Sequence, residues 1–177
     1  LMQRNIHLKQ CIERRNYDKS LIHIFDAQLI PLASYIHQQR KEFIEAILPV
    51  FKNYYQDLSG NREEVDIQYE SGLNEFSPEE GLDNAISLDF RCGYTNFGTH
   101  KDDFLFYING NSVKRYGSQG QQKSFALGLK LSEFEYIYKQ KQQKPILLLD
   151  DIFDKLHPKR TAHLLDLVGR DFFGQVF

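Results

Sequence analysis

The residues from Gly117 to Gln122, Gly-Ser-Gln-Gly-Gln-Gln, have the types and spacing of a helix start that can bind an anion. Ser118 is a favourable N-cap, and Gln121 stands three residues later, at the spacing of a capping box. The first N–H groups of a helix lack partners within it and lie at the positive end of its dipole, which suits a phosphate. Gly120 would let a ligand oxygen approach the backbone with no Cβ in the way. An ordinary capped helix explains the same residues, because capping boxes are common.

Two carboxylates follow a run of four apolar residues, from Ile146 to Leu149. Such a run predicts a strand buried on both faces, as in the centre of a parallel sheet. Ligands of α/β proteins bind beyond the carboxyl ends of such strands. Asp150 could hold Mg²⁺ through water, because that ion prefers one or two carboxylates together with phosphate oxygens. Asp151 could orient the attacking water of phosphoryl transfer. The alternative is a buried strand that ends in a solvated Asp-Asp turn.

An alternation of helices and strands must position these two segments. The last third of the chain predicts a helix over about 119–139, a strand over 146–150, a helix over about 158–169 and a strand over 174–177. This order predicts an α/β fold with a parallel sheet. The apolar run that ends before Asn109-Gly110 predicts a β-hairpin around that turn.

The earlier part of the chain predicts helices. Residues 1–17 are compatible with a basic helix, and apolar residues recur at the helical period from 18 to 48. Pro31 predicts a kink or a break. Pro49 predicts the start of a further helix that ends at Leu58, so two long helices would pack as a hairpin or arm.

The helical period ends near Gly60, where apolar and polar residues begin to alternate as in a strand. Three segments result: a helical arm over 1–62, a strand and turn region over 63–96, and an α/β part over 97–177. The chain opens as if within a polar helix and closes as if a strand were beginning, which predicts a fragment.

The composition limits which partners and which cellular compartment we expect for the chain. The net charge of −2, with 26% charged residues, neither favours nor excludes nucleic acid, so basic pairs such as Arg14-Arg15 would have to contact phosphates. Cys11 and Cys92 stand alone, which favours a reduced, cytoplasmic setting. No apolar run approaches the roughly 20 residues that cross a bilayer, and no signal peptide is present, so we expect no membrane partner.

Several segments resemble one known family. Ser118-Gln119-Gly120-Gln121-Gln122 resembles the ABC signature motif in the form found in the RecF family of recombination mediators. The segment from Ile146 to Asp151 resembles the family's Walker B strand, and Asp154 falls at its D-loop. Further similarity, which covers nearly the whole chain, lies in Leu1–Gln10, in Gly98-Thr99-His100-Lys101-Asp102-Asp103 with the hairpin after it, and in Gly174-Gln175-Val176-Phe177.

The resemblance implies an α/β fold: the C-terminal half of an ABC-type ATPase head, with a P-loop NTPase-like sheet, plus a helical arm called lobe II. It implies ATP and Mg²⁺ as cofactors, bound between two protomers. The signature of one protomer would cap the γ-phosphate of ATP held by the other, with Ser118 donating its hydroxyl and Gly120 its N–H. Asp150 as the Mg²⁺ residue and Asp151 as the water-activating residue would serve the ATP of their own protomer. Nucleotide contacts are also implied for Gln119, Gln121 and Asp154.

The resemblance further implies a slow DNA-dependent ATPase in recombinational DNA repair, replication restart and the SOS response. Such a protein would form an ATP-dependent homodimer on double-stranded or gapped DNA, promote recombinase loading and work with RecR and RecO in the cytoplasm.

Two departures qualify these expectations. The phosphate-binding P-loop, Gly-x-x-x-x-Gly-Lys-Ser/Thr, is absent from the chain, so we expect the chain alone not to hydrolyse ATP. Asp151 stands where most ABC ATPases have Glu. The alternatives are another SMC-like or ABC head, against which Gln119 favours RecF, or a non-catalytic interaction module.

Overall fold

A computed structural model of the chain describes residues 1–150 and 158–177. The helices in this part are α1 (Met2–Arg14), α2 (Ser20–Ser59), α3 (Pro78–Cys92), α4 (Val113–Tyr116), α5 (Gln119–Lys141) and α6 (Pro158–Val168). The strands are β1 (Val65–Glu70), β2 (Asp103–Ile108) and β3 (Asn111–Ser112), and they form one sheet in the order β1-β2-β3.

Contacts divide the chain into two compact units. The first unit comprises Leu1–Glu42 with Tyr69–Phe104, and the second comprises Phe43–Gln68 with Leu105–Phe177. This division follows from packing alone and does not say which residues belong to a helical arm and which to an ATPase head. The segments 1–62, 63–96 and 97–177 therefore stay a prediction.

Helix α2 is one helix of 40 residues where the sequence predicted two helices packed as a hairpin or arm. Both Pro31 and Pro49 lie inside it. Each proline removes one backbone hydrogen bond to the carbonyl four residues earlier. Those carbonyls belong to Ala27 and Glu45, which are exposed like the prolines themselves. Water can therefore replace the missing donors, and the predicted hairpin is wrong.

A fully buried arginine, Arg4, joins three segments of the first unit. Arg4 Nε donates to Asp26 at 2.7 Å, and its Nη1 donates to Asp89 at 2.7 Å and to the Thr95 hydroxyl at 2.8 Å. Since a buried charge must be paired, these carboxylates hold α1 in the unit. An apolar cluster in the same unit consists of Leu8, Cys11, Ile22, Ile86 and Phe90.

The segment Gly98 to Asp103 is anchored in the same unit through Asp102. Arg40 Nη1 donates to the Asp102 carboxylate at 2.6 Å and to the Thr99 carbonyl at 2.7 Å. Tyr69 donates its hydroxyl to the same carboxylate, and burial together with this acceptor raises the pKa of Tyr69. Asp102 therefore fixes the loop before β2.

The predicted hairpin is confirmed in the second unit. Strands β2 and β3 pair antiparallel, with Tyr107 opposite Ser112 and Ile108 opposite Asn111. The turn residues have positive φ angles, 48° at Asn109 and 73° at Gly110, as a type I′ turn requires.

The segment after Pro145 pairs in parallel with the last residues of the chain. Leu147 N donates to the Gln175 carbonyl at 3.0 Å, and Phe177 N donates to the Leu147 carbonyl at 2.9 Å. The predicted parallel direction is confirmed, although the pairing is an isolated bridge between Leu147 and Val176 and not two full strands.

The expectation that this segment is buried on both faces is wrong for the described part of the chain. Leu147 is 5% exposed, whereas Ile146 is 60% and Leu148 is 61% exposed. One face therefore packs against the core of the second unit and the other faces outward. That core consists of Leu58, Leu127, Leu131, Phe134, Leu147, Leu164, Leu167 and Phe173. Within residues 1–150 and 158–177, none of the helices combines the length and the apolar character of a membrane span.

Candidate functional site

The N-terminus of α5 has the predicted capping box. Ser118 Oγ accepts a hydrogen bond from Gln121 N at 3.2 Å, and Gln121 Oε1 accepts one from Ser118 N at 2.9 Å. The N–H groups of Gln119 and Gly120 have no partner within the helix, since they lie in its first turn. Ser118 Oγ is used here as an acceptor, so its own hydrogen is available to an anion. The helix start therefore presents donors.

Gly117 is required by the approach to this helix start. A Cβ at this position would lie 2.6 Å from the carbonyl oxygen of Val113, the first residue of α4. Gly117 N donates to that oxygen at 3.0 Å, and the Gln122 side chain donates to the Gly117 carbonyl at 3.0 Å. The need for glycine here is therefore steric, which the sequence motif alone does not reveal.

A cavity of about 350 Å³ lies beside the start of α5. Arg62, Lys159 and Arg160 line it, and Glu63 is the one carboxylate among its described lining residues. Cationic side chains therefore outnumber anionic ones, a balance that favours an anionic ligand. The other described lining residues are Leu58, Ser59, Ser118, Gly120, Gln121 and His163.

Three of the predicted signature residues therefore line one cavity. Ser118, Gly120 and Gln121 contribute to it, whereas Gln119 is exposed and is not among its described lining residues. Gly120 also accepts a hydrogen bond at its carbonyl from the Ser124 hydroxyl, at 2.8 Å. This bond lies within the helix and leaves the Gly120 N–H unaffected.

Glu63 joins the helix start to two other helices. Its carboxylate accepts hydrogen bonds from the Tyr55 hydroxyl at 2.6 Å and from Gln121 Nε2 at 2.9 Å. Arg160 Nη2 donates to both carboxylate oxygens, at 2.9 and 2.8 Å. Glu63 and Arg160 were not among the residues that the sequence predicted for the site. Their separation of 97 residues explains this, because no local pattern joins them.

The hydrogen bonds around Glu63 shift the pKa values of the side chains that make them. Burial raises the pKa of Glu63, but the hydrogen bonds from Tyr55, Gln121 and Arg160 outweigh it and hold the pKa below its usual 4.5. Burial, together with the acceptor Glu63, raises the pKa of Tyr55. At neutral pH Glu63 is therefore a carboxylate that accepts from three neutral or cationic donors.

The predicted carboxylates are described only in part. Asp150 is exposed directly after the paired segment and is not among the described lining residues of the cavity. Asp151 and Asp154 lie outside the described residues, so their roles stay predictions. Among residues 1–150 and 158–177, no group of three or more His, Cys, Asp or Glu side chains could hold a metal. Mg²⁺ often keeps several waters and takes only one or two carboxylates, so a site at Asp150 would need water and phosphate oxygens, and its Mg²⁺ role stays a prediction.

Comparisons with known proteins identify the sequences and structures that the chain matches. No protein-family model matches the chain. It is 42% identical over 177 residues to the DNA replication and repair protein RecF of Flavobacterium johnsoniae, a match that covers 100% of the chain and 49% of the relative. The RecF protein of Cytophaga hutchinsonii is 41% identical over 177 residues, with 100% of the chain and 47% of the relative covered.

Solved structures give the same result. The structure of the recombination mediator protein RecF-ATPrS in the RecFOR pathway matches with a TM-score of 0.83 and 30% identity, covering 100% of this chain and 49% of the other. The corresponding RecF-ATP structure matches with a TM-score of 0.82 and 30% identity, covering 100% and 48%.

The predicted resemblance to RecF is confirmed over the whole chain, and the match falls on the C-terminal half of RecF. The same match confirms the predicted α/β fold of an ABC-type ATPase half. The chain spans about half the length of the curated relatives that it matches. The alternatives, another SMC-like head or a pure interaction module, are not favoured.

Proposed function

We propose that this chain supplies the signature side of an ATP site in a RecF-type protein of recombinational DNA repair. The observation that carries the proposal is the capped start of α5 on a cavity with a cationic lining. The names of the matching proteins support it, since they connect RecF with DNA replication and repair and with ATP.

The signature side would bind the γ-phosphate of ATP held by a second protomer. Ser118 would donate its hydroxyl, and Gly120 would donate its backbone N–H. The helix dipole favours negative charge at this end, and Arg62 on the lining of the cavity adds to that preference. Gln121 holds Ser118 in place through the capping box, so it acts on the phosphate indirectly.

The carboxylate side would serve the ATP of its own protomer. Asp150 would hold Mg²⁺ through water, and bound Mg²⁺ would neutralise phosphate charge. Asp151 would orient the attacking water, and Asp154 would contribute from the D-loop. The two sides would therefore act on different nucleotides, which suits the position of Asp150 outside the signature cavity as described.

For the natural polypeptide that contains this chain, the proposal extends to slow DNA-dependent hydrolysis of ATP in the cytoplasm. That polypeptide would form an ATP-dependent homodimer on double-stranded and gapped DNA. It would promote recombinase loading together with RecR and RecO, and hydrolysis would release the dimer. The resemblance to RecF supports these roles.

Substitution of Ser118 by arginine tests the trans-capping role. In the natural polypeptide, Ser118→Arg should abolish ATP-dependent dimerisation, measured by sedimentation velocity, because the long cation fills the approach to the helix start. Binding of ATP to the monomer should persist, measured with a fluorescent ATP analogue.

Ser77→Arg is the matched control. Ser77 is an exposed N-cap with the same capping box at the start of α3 in the other unit, and it should tolerate arginine without loss of dimerisation. Dimerisation of Ser118→Arg at the wild-type level would contradict the proposal.

A further inference from the structure

We infer that Glu63 is a positioning residue that couples the signature helix α5 to helix α6. This inference rests on the proposed function, because it gives Glu63 a role in preparing the signature side for ATP. Glu63 itself accepts hydrogen bonds only and would not bind a phosphate.

Glu63 is placed to connect three elements of the second unit. It lies between the end of α2 and the start of β1, and Tyr55 of α2 fixes its Oε2 at 2.6 Å. Its Oε1 accepts from Gln121 of α5 and from Arg160 of α6, each at 2.9 Å. One oxygen atom therefore contacts both the signature helix and α6.

The contact with Gln121 determines how firmly Ser118 is held. The Gln121 side chain has two polar ends: its Oε1 accepts from Ser118 N, and its Nε2 donates to Glu63. Loss of the second bond would free the amide to rotate, and the capping box would keep only the bond between Ser118 Oγ and Gln121 N. The orientation of the Ser118 hydroxyl would then be less well defined.

The contact with Arg160 extends the connection along the chain. Arg160 is the third residue of α6, and α6 directly follows residues 151–157, which include Asp151 and Asp154. The ion pair is well shielded, with 18% of the Arg160 side chain and 14% of the Glu63 side chain exposed. Shielded, charge-assisted hydrogen bonds resist displacement by water, so a shift of α6 would be transmitted to Gln121.

The experiment uses the natural polypeptide with Glu63→Gln, Arg160→Gln and the double variant. Each single variant should weaken ATP-dependent dimerisation about tenfold, and the double variant no further, as expected for two residues of one network. Below the melting transition of each variant, the ATP affinity of the monomer should stay near the wild-type value while dimerisation is weakened, a split that a merely structural role would not produce.

Asp66→Asn is the matched control in the same unit. It removes a solvent-exposed ion pair with Lys52 at 3.2 Å and should leave dimerisation unchanged. Ser118→Arg is the reference for the signature role.

The outcomes distinguish failure of the coupling role of Glu63 from failure of the proposed function. If Ser118→Arg abolishes dimerisation while Glu63→Gln behaves as wild type, or if the losses of the single variants add in the double variant, the coupling role of Glu63 is overturned. If Ser118→Arg itself has no effect, the proposed function fails whatever Glu63 does. If Glu63→Gln does not fold, Arg160→Lys decides, because lysine keeps the charge but its Nζ does not reach as far as the Arg160 Nη2 that contacts Glu63. That variant should fold and dimerise more weakly than wild type, and unchanged dimerisation would overturn the inference.

Discussion

Ser118 and Gln121 exchange two hydrogen bonds, at 3.2 and 2.9 Å, and thereby close the first turn of α5. Ser77 and Glu80 make the same exchange at the start of α3, at 3.2 and 3.0 Å. The two helix starts share this local geometry, but Ser118 lines the cationic cavity and Ser77 is not among its described lining residues. Comparing variants of Ser118 and Ser77 therefore separates the contribution of an N-cap to folding stability from the contribution of Ser118 to nucleotide binding.

Removal of either cap should destabilise the protein to a similar extent. Ser118→Ala and Ser77→Ala should each lower the free energy of unfolding by about 1 kcal/mol, the usual value for an N-cap. Urea denaturation measures this change. Only Ser118→Ala should also weaken ATP-dependent dimerisation of the natural polypeptide. An equal weakening by Ser77→Ala would show that cap stability, and not the signature role, controls dimerisation.

Substitution of Asp151 by asparagine should separate ATP binding from hydrolysis. An amide lacks the negative charge with which a carboxylate polarises the attacking water, so Asp151→Asn should bind ATP and fail to turn it over. Phosphate release measures turnover, and a fluorescent nucleotide measures binding. Asp150→Asn is the companion variant, and it should instead raise the Mg²⁺ concentration needed for tight nucleotide binding. Normal turnover by Asp151→Asn would remove its proposed role.

Glu63 should contribute to loss of stability in acid. Its pKa in the folded chain lies below the usual 4.5, so the unfolded chain binds the proton more readily. The stability due to this shift is present above pH 4.5 and is lost as the pH falls through the folded pKa. Glu63→Gln should therefore lower the free energy of unfolding at pH 7 and flatten its decline below pH 4.5. A decline as steep as that of the wild type would contradict the assignment.

Loss of the Arg4 guanidinium should be severely destabilising. Arg4→Met keeps an apolar stem but leaves the buried carboxylates of Asp26 and Asp89 without the guanidinium charge, at a cost of about 3–5 kcal/mol. Gln3→Met is the control, since Gln3 is exposed on the same helix and should change stability by about 0.5 kcal/mol or less. Thermal or urea denaturation measures both. A small effect of Arg4→Met would mean that the unit repacks around the lost charge.

Features that depend on neighbouring residues could be predicted from the sequence. The capping box at Ser118 and the turn at Asn109-Gly110 are formed by side chains and dihedral angles within four residues, so local physics decides them. The continuation of α2 through Pro31 could not be predicted, because it depends on whether the orphaned carbonyl of Ala27 faces water.

Features that depend on packing between distant parts of the chain were either not predicted from the sequence or predicted wrongly. The apolar run from Ile146 to Leu149 indicated burial on both faces, yet alternate residues are exposed, since burial requires a neighbour on each side. Glu63 was missed for a similar reason. Its partners Gln121 and Arg160 are 58 and 97 residues away, and no periodicity in the sequence connects them.

The steric need for Gly117 has a consequence for how such sequences diverge. The obstacle is the Val113 carbonyl oxygen, 2.6 Å from where a Cβ would stand, and it is present whether or not a nucleotide ever binds. On the proposed function, Gly120 is instead required by the ligand. In a lineage that had lost ATP binding, drift would therefore replace Gly120 while Gly117 persisted. A descendant that keeps Gly117 but not Gly120 would therefore be one that has kept the fold and lost the nucleotide site.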